Sequence, residues 1–227
     1  MKMTVYAQQL NNLFYDLDYA ILAFCHGLAE RLGWLLSPIL NLITLTGYKG
    51  LFLIALSIAM IVFRKTRRTG ICALLALTIG ALFTNIIVKN LVARPRPYDF
   101  DLDHLRVWWE YVGSHAESDK SFPSGHMTAA CAFTSGFVLS RGWKKWLPAG
   151  LVYVILMGIS RMYLIVHYPS DVLGGFLFGT VAGILSFLIV RAIYRRWGNS
   201  SALRETAPEP AAVPAAGENQ SAAEGEE

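Results

Sequence analysis

Charged residues are scarce in this chain of 227 residues: only 16% are Asp, Glu, Lys or Arg, whereas 54% are hydrophobic. The mean hydropathy of +0.41 is too high for an ordinary soluble domain of this size. Alternation of polar and apolar residues is also missing from the apolar runs, which disfavours membrane strands. The composition therefore predicts an all-α membrane protein.

Cysteine is rare as well, and its pattern excludes two kinds of chemistry. Cys25, Cys72 and Cys131 stand apart among apolar neighbours, without the paired spacing of a metal or redox motif. We expect them to be buried in packed helices. The N-terminus lacks a compact basic region followed by an apolar core and a cleavage site, so no cleavable signal peptide is predicted.

Six continuous apolar runs are present, several of them near the ~20 residues that a spanning helix needs. They cover residues 33–48, 51–63, 70–92, 127–139, 146–159 and 172–190. We predict a polytopic bundle of six transmembrane helices within residues 31–197. In residues 1–30, Asp16, Asp18 and His26 interrupt a helical apolar pattern, which predicts a short N-terminal interfacial helix.

Basic residues are concentrated in three short segments, at 64–68, 141–145 and 191–196. Such segments stay on the cytoplasmic side of a membrane. With six spans, both termini are then cytoplasmic and the segment 93–122 faces outward.

The segment 198–227 contains six glutamates and one arginine among many small residues and prolines, a composition that cannot bury a core. We predict a disordered cytoplasmic tail. The remaining chain has 19 Lys and Arg against 10 Asp and Glu, a formal charge of +9 rather than +4. This excess suits anionic lipid, and nucleic acid is excluded as a partner because the charges follow the membrane topology.

Polar clusters occur at the predicted outer ends of the helices. They comprise Lys89 with Arg96-Pro97, Pro123-Ser124-Gly125-His126, and Ser160-Arg161 followed by His167 and Asp171. An ionised side chain at the centre of a span costs roughly 2.5–3.5 kcal/mol, so a cluster of cations needs a reason. Snorkelling to lipid headgroups is one reason, and a bound anion is the other, favoured because two histidines accompany the cations.

The Pro-Ser-Gly-His sequence predicts a turn entering a helix whose free N–H groups bind phosphate. Pro169 fits the first turn of the last helix, with His167 just before it. A carboxylate at Asp171 can accept one ring N–H of His167 and leave the other nitrogen free to attack phosphorus. An interfacial histidine beside a helix-start aspartate is the alternative for this pair alone.

Small residues line the predicted motif-bearing helices. Asp171, Gly175, Gly179 and Gly183 are spaced four apart, and Ala81, Asn85 and Lys89 share a face of the third helix. Such stripes predict close helix packing, with the polar helix ends converging in one outward-facing pocket.

Together these motifs resemble the three-part signature of the type 2 phosphatidic acid phosphatase (PAP2) superfamily, whose members include bacterial lipid phosphatases and whose related haloperoxidases bind vanadate. The resemblance implies that His167 is the nucleophile, that Asp171 orients it, and that His126 is the general acid and then the base. It implies further contacts to the phosphoryl oxygens, from Lys89, Arg96, Ser124, Gly125 and Arg161. Ser160 matches the motif, and Arg94, from a second Arg-Pro pair outside the motif's register, is a candidate accessory contact. No cofactor or metal is implied.

The function implied is hydrolysis of a lipid phosphate or pyrophosphate, above all undecaprenyl pyrophosphate to undecaprenyl phosphate, through a phosphohistidine. The partners are then the lipid substrate and the bilayer, at the outer side of a bacterial plasma (inner) membrane. The alternatives are a phosphatidylglycerol phosphate or phosphatidic acid phosphatase, a lipid phosphotransferase, and a non-catalytic protein that binds anionic lipid.

The outward segment contains part of a calcium-binding pattern. Asp99, Asp101, Asp103 and Glu110 occupy positions 1, 3, 5 and 12 of a calcium-loop pattern. His104 stands where that loop needs glycine, so a solvated acidic loop is favoured over a calcium site. The nearby aromatic residues Trp108, Trp109 and Tyr111 are predicted interfacial anchors.

Overall fold

The structure, a computed structural model, describes residues 3–101 and 103–205, with side chains as far as residue 196. Its helices are α1 Val5–Gly47, α2 Leu51–Val62, α3 Arg67–Ala81, α4 Lys89–Val92, α5 Pro97–Phe100, α6 Leu105–Tyr111, α7 Gly125–Arg141, α8 Trp143–Tyr163 and α9 Pro169–Glu205. A 3-10 turn, Tyr48–Gly50, joins α1 to α2, and a π-helical segment, Leu82–Val88, joins α3 to α4. No strand occurs in these described ranges, so the all-α class is confirmed.

The outer surface of the helices is apolar. Trp34, Leu42, Ile86 and Leu177 are each more than half exposed, at 78%, 65%, 60% and 58%. An exposed apolar surface of this extent is typical of a protein in contact with lipid. Four segments of the described chain are long and apolar enough to cross a membrane: Val5–Val62, Arg67–Phe100, Trp143–Tyr163 and Pro169–Arg196.

The two ends of the helix bundle differ in charge. Arg141, at the end of α7, donates a hydrogen bond to the carbonyl of Lys65, in the turn before α3. This contact brings two of the basic segments together. The opposite end holds the starts of α7 and α9 and the end of α8, where the predicted catalytic motifs lie. We call this second end the site end.

Helix α1 differs from its prediction. It is one unbroken helix, whereas a short interfacial helix and a separate first span were predicted. Thr4 donates to the carbonyl of Val92, Asp18 pairs with Arg94, and Gly47 contacts His126. These three contacts all lie at the site end.

The buried polar face of α1 explains this difference. Asp18 is only 2% exposed, because Arg94 and Ser170 hydrogen-bond its carboxylate. Asp18 therefore takes part in tertiary packing, and its charge does not interrupt the helix. Apolar residues of α1 pack on the segment that follows α8, including Leu22 and Leu40 against Ile165.

The glycine stripe of α9 packs against α7. A Cβ added at Gly179 would lie 2.4 Å from the carbonyl oxygen of Thr128, and one at Gly183 would lie 2.4 Å from Cβ of Ser135. Only glycine permits this approach. The predicted close packing is therefore present, and it holds the start of α9, with Asp171, beside the start of α7.

The three cysteines are buried and free, as predicted. The described residues from Ile193 onward belong to a second unit, and α9 ends there at Glu205. The first residues of the predicted tail are thus helical, and its remainder, 206–227, lies outside the described residues.

In the acidic loop, Asp101 accepts hydrogen bonds from the backbone N–H groups of Asp103 and His104.

Candidate active site

A cavity of about 250 Å³ lies at the site end, where α7 begins. Five of the predicted site residues line it: Lys89, Arg96, Gly125, His126 and His167. The two histidines, 41 positions apart in sequence, therefore face one space. Ala81 and Asn85 line the same cavity as Lys89, so their predicted common face is also present.

His167 is held between a carboxylate and a guanidinium. Its Nδ1 lies 3.5 Å from Oδ2 of Asp171, and its Nε2 lies 3.1 Å from Nη1 of Arg96. A guanidinium nitrogen only donates, so Nε2 must accept and the ring proton belongs on Nδ1, facing Asp171. Nε2 is thus the nitrogen with a lone pair on the side of the cationic cluster.

Asp171 is fully buried and held by several donors. Oδ1 accepts from Nη1 of Arg94 at 2.7 Å, and Oδ2 accepts from the N–H of Tyr168 at 2.9 Å and from the hydroxyl of Ser121. Pro169 is the first residue of α9, as predicted, so His167 and Asp171 flank the start of that helix. The carboxylate has little freedom to turn away from His167.

Arg94 was predicted to be an accessory contact to phosphate, and its position differs from that prediction. Its guanidinium is 1% exposed and does not line the cavity. It donates to Asn11, Asp18, Ser170 and Asp171, and it stacks 3.9 Å from the ring centroid of Tyr168. Its donors are engaged behind Asp171, so it supports the carboxylate that faces His167.

His126 lies in the first turn of α7 and packs against the end of α1. A Cβ added at Gly47 would lie only 2.7 Å from Cδ2 of His126, so a larger residue would displace the imidazole. Nδ1 of His126 lies 4.0 Å from Oε1 of Glu117. The ring is thus positioned by α1 on one side and faces a carboxylate on the other.

The predicted phosphate-binding cations are paired with two carboxylates that the sequence had not singled out. Asp119 forms ion pairs with Lys89 and Arg96, and Glu117 forms an ion pair with Arg161. Arg96 also donates to the backbone carbonyl of Asp119 at 3.0 Å. Acidic side chains thus occupy the positions at which phosphoryl oxygens would meet these cations.

Arg161 is 2% exposed, and it reaches from α8 to the end of α1, where it donates to the hydroxyl of Thr44. Its Nε is buried and has no hydrogen-bond partner within the described residues. An unpaired charged donor is costly to bury. Arg161, although predicted to contact phosphate, does not line the cavity.

Ser124, Gly125 and Ser160 differ in placement. Ser124 is the N-cap of α7: its hydroxyl accepts from the N–H of Met127, and its own N–H donates to the carbonyl of Asp171. It is fully buried and does not line the cavity, whereas Gly125 does. The hydroxyl of Ser160 donates to the carbonyl of Met157, within its own helix.

Burial and nearby charges shift the pKa values of His167 and Asp119, which both lie in segments between helices. Burial, and then the positive charge of Arg96, holds the pKa of His167 well below its usual value. Burial alone would raise the pKa of Asp119, but its hydrogen bond and ion pair with Lys89 lower it overall. His167 is therefore a neutral imidazole and Asp119 an ionised carboxylate at neutral pH.

Sequence reasoning missed Asp18, Glu117 and Asp119. The only available signal for the last two was their proximity to Pro123 in a polar segment, which is equally typical of a solvated loop. Among the side chains that the structure describes, no group of three or more His, Cys, Asp or Glu is placed to hold a metal ion.

The family model described as "PAP2 superfamily" matches residues 69–195 of this chain, more than half of its length. The chain belongs to the PAP2 superfamily. All eleven residues of the three-part motif, from Lys89 to Asp171, fall inside the matched range.

Several curated PAP2 relatives are similar in sequence. An undecaprenyl-diphosphatase of Sulfolobus acidocaldarius is 31% identical over 131 residues, 57% of this chain and 59% of that protein. Phosphatidylglycerophosphatase B of Bacillus subtilis is 35% identical over 151 residues, which are 61% of this chain and 64% of that protein. These two matches span less than two thirds of the relatives' length. Undecaprenyl-diphosphatase BcrC of Bacillus subtilis is 30% identical over 75% of this chain and 83% of its own.

Two solved PAP2 structures share the fold. A transmembrane PAP2 type phosphatidylglycerolphosphate phosphatase from Bacillus subtilis superposes with a TM-score of 0.62 at 29% identity, over 85% of this chain and 92% of its own. LpxE of Aquifex aeolicus gives a TM-score of 0.54 at 28% identity, over 67% of this chain and 85% of its own. The helical membrane fold is thus that of known phosphatases.

Proposed function

We propose that this PAP2 protein hydrolyses a lipid phosphate through a phosphohistidine on His167. The lone pair of Nε2 attacks phosphorus, the bond from phosphorus to the leaving oxygen breaks, and His126 gives that oxygen a proton. Water then attacks the phosphohistidine, His126 takes up a proton from it, and the N–P bond breaks to release inorganic phosphate.

The observation that carries this proposal is the shared cavity. His126 and His167 line one space together with Lys89 and Arg96, and Asp171 faces the opposite nitrogen of His167. Phosphoryl transfer depends chiefly on alignment and on neutralisation of the oxygen charge. Lys89, Arg96 and the first-turn N–H groups of α7 supply this neutralisation, and we propose that no metal ion is needed.

The proposed substrate is an isoprenoid diphosphate, above all undecaprenyl diphosphate. Two of the relatives described above carry the name undecaprenyl-diphosphatase, one of them matched over three quarters of this chain. Phosphatidylglycerol phosphate is the second candidate, because the phosphatidylglycerolphosphate phosphatase from Bacillus subtilis matches over 85% of this chain.

The reaction is tested by phosphate release from a panel of isoprenoid and glycerolipid phosphates, in detergent and with EDTA present. His126→Ala is expected to lower turnover by about 10²–10⁴, the usual contribution of a general acid. His167→Ala is expected to abolish it, whereas exchange of the exposed loop residue His115 for Ala should leave it unchanged. Loss of all wild-type activity in EDTA would contradict metal independence.

We further propose that the site faces the extracytoplasmic side. The contact between Arg141 and Lys65 brings two basic segments to the end of the bundle opposite the cavity, and basic segments remain in the cytoplasm. A membrane-impermeant maleimide should then label Ser118→Cys but not Thr66→Cys in intact cells. The reverse pattern would refute this orientation.

A further inference from the structure

The end of α1 and the turn after it form one wall of the cavity. Gly47, Lys49 and Gly50 line the cavity, and Gly47 contacts the ring of His126. Under the proposed function, His126 protonates the leaving oxygen. The wall beside His126 is therefore the side on which the leaving group lies.

Lys49 is the cation of this wall. It has a positive φ of 48°, and Gly50 after it has a φ of 68°, so the chain reverses sharply between α1 and α2. The side chain is exposed, and its Nζ lies 5.4 Å from the ring centroid of Tyr48. A positive φ is uncommon for a residue other than glycine. This backbone conformation places the long cationic side chain of Lys49 at the cavity.

Lys49 also differs in its partners from the other predicted phosphate-binding cations. Lys89 and Arg96 each pair with Asp119, and Arg161 pairs with Glu117. Among the side chains that the structure describes, no carboxylate lies within ion-pair distance of Lys49. Its charge is therefore available to a ligand without displacement of a protein carboxylate.

Lys49 lies outside the three basic segments of the chain. It lies at the site end, whereas the basic segments at 64–68 and 141–145 meet at the opposite end. Cations in short loops on the outer side of a membrane are disfavoured relative to the cytoplasmic side. A ligand with negative charge accounts for a cation at this position, as it does for Lys89 and Arg96.

We propose that Lys49 binds the non-scissile phosphate of a lipid diphosphate, so that the site is specific for phosphoanhydrides over phosphate monoesters. This inference rests on the proposed function and assigns its substrate class. His167 attacks the terminal phosphorus, the bond from that phosphorus to the bridging oxygen breaks, and the lipid monophosphate leaves with a proton from His126. The charge that develops on this leaving phosphate lies beside Lys49. The alcohol that leaves from a monoester carries no such phosphate.

The test compares two substrates that share one isoprenoid chain, farnesyl diphosphate and farnesyl phosphate, by initial rates of phosphate release from the full-length protein in detergent. Lys49→Gln is expected to lower kcat/KM for the diphosphate by about tenfold, the effect of losing a charged hydrogen-bond donor, and for the monophosphate by less than about twofold. Lys49→Arg should restore most of the diphosphate activity. Lys65→Gln, an exposed lysine of the opposite end, is the matched control and should change neither rate.

Retained activity on the monophosphate shows that the variant is folded. An equal fall for both substrates, or no fall for either, overturns the role of Lys49. A wild-type preference for the monophosphate overturns it as well. Hydrolysis of glycerolipid phosphates but of neither farnesyl substrate by the wild type overturns this inference alone. No hydrolysis of any lipid phosphate contradicts the proposed function itself, and so the two failures are distinguishable.

Discussion

The two histidines have different environments, and this difference assigns their proposed roles. His167 has an arginine at Nε2 and a carboxylate facing Nδ1, whereas His126 faces Glu117 and packs on Gly47. A nucleophile must be neutral with its lone pair toward phosphorus. The tautomer that Arg96 and Asp171 select for His167 meets this requirement.

We expect His167 to remain neutral, with its proton on Nδ1, as the pH falls through about 6.5, where an unperturbed histidine is half protonated. The lowered pKa of His167 means that protonation requires a more acidic solution. Nitrogen-15 NMR of the labelled protein, assigned with His167→Asn, distinguishes the forms. An imidazolium spectrum at pH 6.5, or a proton on Nε2, would contradict the assignment.

Asp18 and Asp16 lie on the same helix and provide a matched pair. Asp18 is buried against Arg94, whereas Asp16 is exposed. Asp18→Ala leaves the buried Arg94 with one fewer counter-charge and should destabilise the protein by about 3 kcal/mol. Asp16→Ala should change stability by less than about 0.5 kcal/mol. Thermal unfolding in detergent measures both, and equal melting temperatures would show that the pair with Arg94 is unimportant.

Residue types at fixed spacing were enough to predict the catalytic candidates, because each motif lies within a few residues of one helix end. The role of Arg94 was not predictable in the same way. Its partners Asn11 and Asp18 precede it by more than 70 positions. No local pattern in the sequence indicates which arginine of the Arg94-Pro95-Arg96-Pro97 segment faces the cavity and which faces α1.

At the scale of helices, long apolar runs predicted α2, α3 and α7 to α9, since continuous hydrophobic sequence has few other structures in a membrane. The continuity of α1 was not predicted, because the polar residues Asp16, Asp18 and His26 were interpreted as interruptions. A charged residue interrupts an apolar face only where it has no buried partner. The partner belongs to a segment far along the chain, so the continuity of α1 depends on tertiary contacts.

The packing of α9 on α7 leads to a prediction for Gly179. A Cβ there would lie 2.4 Å from the carbonyl of Thr128, so Gly179→Ala must separate the two helices, at a cost of about 2 kcal/mol. Gly27→Ala, in α1, is the control, since nothing lies within 4 Å of its added Cβ. That change should be neutral or slightly stabilising. Equal effects on melting temperature would contradict the close approach.

The segment that carries Glu117 and Asp119 leads to another prediction. An incoming oxyanion must replace Asp119 at Lys89 and Arg96. Asp119→Asn should therefore tighten inhibition by orthovanadate, about fivefold for a partly exposed carboxylate. Asp103→Asn, an exposed position of the same outward segment, is the control. Unchanged or weaker inhibition by orthovanadate in Asp119→Asn would show that this carboxylate does not compete with the ligand.

At the scale of the whole molecule, the site gathers side chains from α1, α4, α7, α8 and the start of α9. The site end buries their polar groups in and around one cavity. This arrangement explains how a chain with 16% charged residues concentrates cations at one place in an apolar bundle. The central claim is that this place forms a covalent bond to phosphorus at His167.

The most direct measurement is acid-sensitive, base-stable labelling of the protein by a lipid diphosphate that carries phosphorus-32 in its terminal phosphate. After a rapid quench, the account predicts label on His167 in the wild type, no label in His167→Ala, and accumulated label in His126→Ala, because activation of water then fails. Hydrolysis without any labelled protein, or label retained in His167→Ala, would contradict it.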